Sequence, residues 1–179
     1  MPSGQRSSSV MPSNNSEITH IQIPNEQIIP QMILLMEKGH SVTLRLRGIS
    51  MRPFLEDNRD KAVLRKAVAP KVGDVVLAET SEKHYVLHRI ISISGNKVVL
   101  QGDGNVTTEA CLMQNVHGTA VGFYRKGRSK LERTDSKKWK MYSAFWMKLR
   151  PLRRYLLSLH RIVWLHDFRI RRFAKKGNK

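Results

Sequence analysis

A chain of 179 residues, 40% hydrophobic and 7% aromatic, is long enough for one packed domain with appendages and too apolar to be disordered throughout. Its single cysteine, Cys111, excludes an internal disulfide and reads as a small buried hydrophobe, and no run approaches the ~20 apolar residues of a membrane-crossing helix. The formal net charge of +18 is unevenly spread: residues 1–124 carry 13 Lys+Arg against 11 Asp+Glu, and residues 125–179 carry 19 against 3. Any inference from basicity to an acidic partner therefore concerns the last third alone.

Residues 1–24 open with Ser, Asn, Pro and Gly and no apolar core, which predicts a disordered lead-in rather than a secretory signal. In Asn25–Lys38 a helical period begins after Pro30, with Gly39 as its C-cap. Val42, Leu44 and Leu46 then alternate with Thr43, Arg45 and Arg47, the pattern of a half-buried strand over Ser41–Arg47. Further strands are expected in Asp60–Val68, in VVLAE after the turn Pro70–Asp74, in YVLHRIISI, in KVVLQG and in VHGTAVGFYR, with Gly95-Asn96 as a hairpin turn. The fold class expected is mostly β, a β-rich domain with a short N-terminal helix. Its domain is placed at residues 25–127, followed by a charged linker at 128–138 and a basic amphipathic helical tail at 139–179. In the tail, Leu152, Tyr155, Leu156, Leu159, Ile162 and Val163 fall on one helical stripe.

The segment GISMRPF, residues 48–54, sets Ser50 in a turn directly after a strand. Alone it would be a turn serine like many. A nucleophilic serine needs a base, and of seven histidines only His88 sits inside a strand, in VLHRII. None of the histidines makes zinc-ligand spacing with another or with Cys111, so no metal or other cofactor is expected. A histidine base also needs an acid to orient it. Across the 95–96 hairpin, QGDGNVTTEAC carries Asp103 and Glu109, and either could reach the His88 ring.

These motifs, in this order and over about residues 41–123, resemble the type I signal peptidase family, within a group that includes LexA-like self-cleaving serine peptidases. The resemblance implies a coiled, β-rich catalytic domain and a serine endopeptidase acting on a peptide or protein. His88 followed by Arg89 is similar to the histidine-type branch, in which Ser50 matches the nucleophile and His88 the general base. Asp103 matches the aspartate of that branch's Gly-Asp-Asn-Asn motif, and the position of its triad aspartate falls at Glu109, one methylene longer. Glu109 is thus the expected orienting acid, with Asp103 the close second for that role or a supporting residue, and Met51 and Pro53 line the substrate cleft.

Members of that family usually carry an N-terminal membrane anchor before the serine motif, and this sequence shows none, so a cytoplasmic or peripheral-membrane location is expected. The basic tail, with Trp139, Phe145, Trp146, Trp164 and Phe168, suits an anionic membrane surface. It equally suits a helix packed on the core with a solvated basic face, and nucleic acid is the weaker alternative. Two other functions stay open: a LexA-like self-cleaving regulator, disfavoured by histidine at position 88 and by the lack of a helix-turn-helix, and a non-catalytic module gripping membrane or nucleic acid through the tail.

Overall fold

The computed structural model describes residues 25–159 and residue 162. The chain runs α1 (Asn25–Glu37), β1 (Val42–Arg45), β2 (Lys61–Lys66), β3 (Val75–Ser81), β4 (His84–Ser94), β5 (Lys97–Gln101), β6 (Glu109–Leu112), a 3₁₀ turn (Met113–Asn115), β7 (Val116–Tyr124), β8 (Leu131–Arg133) and α2 (Lys137–Lys148). A second 3₁₀ turn (Arg150–Leu152) leads into a helical stretch at residues 153–159. The eight strands form one antiparallel sheet in the order β1-β2-β7-β3-β4-β5-β6, with β8 added to the far end of β7.

The sheet has a core on each face, and β3 is their shared wall. Val75 and Leu77 point into one apolar cluster and Val76 and Ala78 into the other, so four consecutive apolar residues are buried without alternation. The first cluster joins Ile29 and Met36 of α1, Val42 and Leu44 of β1, and Met51, Phe54 and Leu55 of the loop after β1. The second is built on Ile90 of β4, Val98 and Leu100 of β5, and Val116. Half-buried Cys111 packs on its margin rather than inside it.

Helix α1 begins five residues before Pro30, earlier than its hydrophobic period suggests. Pro30 lies close enough to the N-terminus that its missing N–H deprives only the first turn, and its ring is exposed. The C-terminus is the expected glycine cap: the Gly39 N–H donates to Met36 O (3.0 Å) and the His40 N–H to Leu35 O (3.1 Å), with Gly39 at φ 88°.

Two strands escaped the sequence pattern. β6 has four residues and pairs only β5, and β8 has three within the stretch expected to be a linker. β8 is held by shape: Leu131 lies so close over Gly122 that a Cβ there would meet its Cδ1 at 2.8 Å. Ser136 then caps α2, its Oγ accepting the Trp139 N–H at 3.3 Å.

The face of α2 that carries Trp139, Ser143 and Trp146 turns inward. Trp139 packs edge-on against Phe54, centroids 4.4 Å apart, and lies 4.9 Å from Phe123. Thus two of the aromatic residues assigned to a lipid interface belong to the core instead. Phe145 is exposed, and Trp164 and Phe168 lie outside the described residues.

Candidate active site

Ser50 lies in a tight loop between β1 and β2, which closes through Arg52 N–H to Ile49 O (3.1 Å) and Leu55 N–H to Met51 O (2.9 Å). Met51, Phe54 and Leu55 anchor this loop in the first core, so it is fixed by packing from beneath. Asp57 ties its start, accepting the Gly48 N–H at 2.8 Å. Its far end is tied by buried Asp60, which accepts the Glu56 and Lys126 N–H groups, each at 2.9 Å, and the Arg59 guanidinium. Burial opposes the Asp60 charge, but Arg59 and those two amides outweigh it and hold the carboxyl below its ordinary range.

The Gly102–Asn105 turn presses on this loop. The Gly104 N–H donates to Ser50 O at 2.7 Å. A Cβ on Gly102 would lie 2.4 Å from Ser50 O and 3.0 Å from His88 Nε2, and one on Gly104 would lie 2.7 Å from Ile49 O. Both glycines are therefore required by close approach. The same numbers place His88: its Nε2 and the Ser50 backbone crowd a single point at Gly102. Among the described residues the Ser50 hydroxyl forms no hydrogen bond.

His88 stands at the middle of β4, where it is paired with Val76 of β3, and only 4% of it is exposed. Its Nδ1 lies 3.3 Å from Glu109 Oε2. The distance is that of a hydrogen bond but the alignment is not, and both atoms are buried without another partner. Burial drives the His88 pKa below its ordinary value of 6.5, against the opposing pull of the Glu109 and Asp103 carboxylates. At neutral pH the imidazole is thus uncharged and able to accept a proton.

Asp103 sits on the other side of the same turn and does not bond to His88. It is wholly buried and takes a two-pronged grip from Arg89, Nε to Oδ1 at 2.9 Å and Nη2 to Oδ2 at 2.7 Å. Arg89 Nη1 also donates to Gly73 O (2.8 Å) and to the Ser143 hydroxyl of α2. Burial works against the Arg89 charge, and Asp103 more than offsets it. The dipeptide His88-Arg89 thus splits its work, one side chain facing Ser50 and the next, on the opposite face of the strand, locking the glycine turn behind it.

A cleft of about 130 Å³ opens at Ser50 and His88, lined also by Met51, Leu44, Leu46 and Tyr85. Its two long walls are strand edges. β1 pairs β2 on one side only, and β4 pairs β5 only from Arg89 onward, so the outer edge of His84–His88 has no strand beside it among the described residues. Met51 lines this cleft. Pro53, which follows a cis peptide bond, faces a separate basic hollow with Phe54 and Arg125.

Sequence reasoning missed three contributors: Arg89, Arg150, whose Nε donates to Gln101 Oε1 (3.1 Å), and Arg153, whose Nη1 donates to Gly102 O (3.4 Å). Only Arg89 carried a signal, as a cation inside an apolar strand, where a buried carboxylate partner is required. Among the described residues no cluster of His, Cys, Asp and Glu could hold a metal ion, and no helix is long and apolar enough to cross a membrane. The chain matches no family model, and no curated protein matches its sequence.

Proposed function

We propose that this protein is a serine endopeptidase of the signal-peptidase type, in which Ser50 is the nucleophile, His88 the general base and Glu109 the acid that orients it. The observation that carries the reading is the meeting of Ser50 with a neutral, buried His88 at the end of a cleft walled by two unpaired strand edges, with Glu109 Oε2 3.3 Å behind the ring.

A peptide in extended form would lie in this cleft as an added strand, its main chain bonded to the free edges of β1 and β4. His88 Nε2 takes the hydroxyl proton as Ser50 Oγ attacks the scissile carbonyl carbon, and the tetrahedral oxyanion is met by backbone N–H groups of the Ser50 loop. Such donors are typically worth about 3 kcal/mol each. His88 then gives the proton to the leaving amine, the C–N bond breaks, and Ser50 is left acylated. A water deprotonated by His88 attacks the ester, releasing the acid and restoring the serine. Glu109 keeps Nε2 free of its proton in the resting state and stabilises the imidazolium as it forms. Asp103 acts at one remove, through Arg89 and the glycine turn. No metal or organic cofactor enters these steps.

The trapping test uses a series of peptidyl fluorophosphonates, whose phosphorus an activated serine attacks with loss of fluoride, leaving a stable covalent adduct. The expected result is an adduct mapped by mass spectrometry to Ser50 in the wild type and absent from both Ser50→Ala and His88→Ala. Equal adduct formation in Ser50→Ala would rule the assignment out.

A further inference from the structure

The C-terminal segment has two unlike faces. The inner one is consumed by the fold: Trp139, Trp146 and Arg153 are buried, and Ser143, Arg150 and Arg153 bond to Arg89, Gln101 and Gly102. The outer one is apolar and uncovered. Met141 and Phe145, one turn apart on α2, are 73% and 60% exposed. After α2, Leu152 of the 3₁₀ turn, Tyr155 and Leu159 of the helical stretch, and Ile162 recur at helical spacing in the sequence and are 53–72% exposed. Lys140, Lys148 and Arg154 stand exposed beside them, and no Asp or Glu occurs between Asp135 and Asp167.

We infer that this outer face is a docking surface for an anionic lipid bilayer, in which the segment lies in the plane of the interface. Aliphatic side chains reach the acyl boundary, Tyr155 and Phe145 sit at headgroup level, and the cations meet lipid phosphates. Two other occupants fit less well. A nucleic acid satisfies the cations but leaves Met141, Leu152, Leu159 and Ile162 without contact. A second copy of the chain would bring one acid-free cationic face against another. Because the inner face holds the Gly102–Asn105 turn, a bilayer on the outer face lies about one helix diameter, ~10 Å, from the loop that carries Ser50. The surface rests on exposure and charge and does not depend on the peptidase assignment.

The test is flotation of the full-length Ser50→Ala protein with vesicles of phosphatidylcholine, with and without about one-third phosphatidylglycerol. Binding at least about tenfold tighter to the anionic vesicles, weakening as salt rises, is expected. The pair Tyr155→Ser/Leu159→Ser should lose about tenfold in vesicle affinity with an unchanged melting temperature, since both residues are exposed. Should that pair lower the melting temperature, Met141→Ser/Phe145→Ser serves instead. Charge reversal by Lys148→Glu/Arg154→Glu should abolish the preference for anionic lipid. The inference is overturned by equal affinity for the two vesicle types, by apolar variants that bind like the parent, by tighter binding to duplex DNA than to anionic vesicles, or by a dimer that the same variants dissociate without any vesicle binding.

Discussion

The most exacting consequence of the site geometry concerns Gly102. Its backbone needs no left-handed conformation, so Gly102→Ala introduces a purely steric change. The new Cβ would stand 2.4 Å from Ser50 O, 3.0 Å from His88 Nε2 and 3.1 Å from Asn105 Nδ2. The asparagine can swing away, but the Ser50 carbonyl is backbone and already bonded to the Gly104 N–H. Restoring an ordinary carbon–oxygen contact of roughly 3.5 Å requires a movement of about 1 Å between the Ser50 loop and the glycine turn. Overpacking of this kind costs about 1–3 kcal/mol, which in a chain of this size lowers the melting temperature by roughly 2–12 °C. A misplacement of about 1 Å at a reacting group costs about 10²-fold in turnover. The control is Gly95→Ala, where the left-handed φ of 57° costs about 1–2 kcal/mol but a Cβ meets nothing within 4 Å. Thermal melts and peptide-cleavage rates on both variants should show comparable destabilisation and a catalytic loss confined to Gly102→Ala. Unchanged melting and turnover in Gly102→Ala would refute the close approach of Ser50, His88 and the turn.

Further consequences concern the groups around that contact. Because burial lowers the His88 pKa, the base is neutral through physiological pH, and the acid limb of kcat/KM should lie below pH 6.5. Glu109 raises that pKa, so Glu109→Gln should move the limb to still lower pH while reducing kcat; a limb moving upward would contradict the assignment. Stability follows the same sign: the unfolded chain binds a proton at His88 more readily, so the His88 contribution is present above pH 6.5 and is lost as pH falls toward the folded-state value, a trend that denaturant melts of wild type and His88→Gln should separate. Asp103→Ala would strand the wholly buried Arg89 charge and should destabilise by about 3–5 kcal/mol, read by chemical denaturation. Phe54→Ala, which removes the ring packed between Phe123 and Trp139, should cost about 3–5 kcal/mol and loosen α2 by hydrogen exchange.

How far these features were legible in the sequence depended on how local their causes were. Alternating apolar residues in β1 and β2 and the glycine cap of α1 are written within a few positions and could be read directly. β6 and β8 could not, because strands of four and three residues are decided by the neighbours they pair with. The candidate site divided in the same way. Ser50 and His88 stood out by their settings in a turn and a strand, but that Glu109 and not Asp103 lies against the His88 ring depends on the pairing of β5 with β6, which sets Glu109 opposite Leu100, one strand removed from β4. The burial of Asp103 with Arg89 was hidden because its partners come from β4 and, through Ser143, from a helix 54 residues away along the chain. The tail misled for a related reason. Trp139 and Trp146 are as amphipathic as an interfacial anchor would be, and only the aromatic pair Phe54 and Phe123 reveals that one face already has an apolar partner.

Whether Ser50 cuts peptide bonds with His88 as its base is decided by cleavage of a diverse peptide library read by mass spectrometry. Wild type, Ser50→Ala and His88→Ala would be compared at neutral pH, with and without anionic vesicles. The expected result is a defined set of cuts by the wild type that both variants lose while keeping the wild-type fold. Cuts that persist in Ser50→Ala, or a wild type that cleaves nothing with vesicles present, would contradict it.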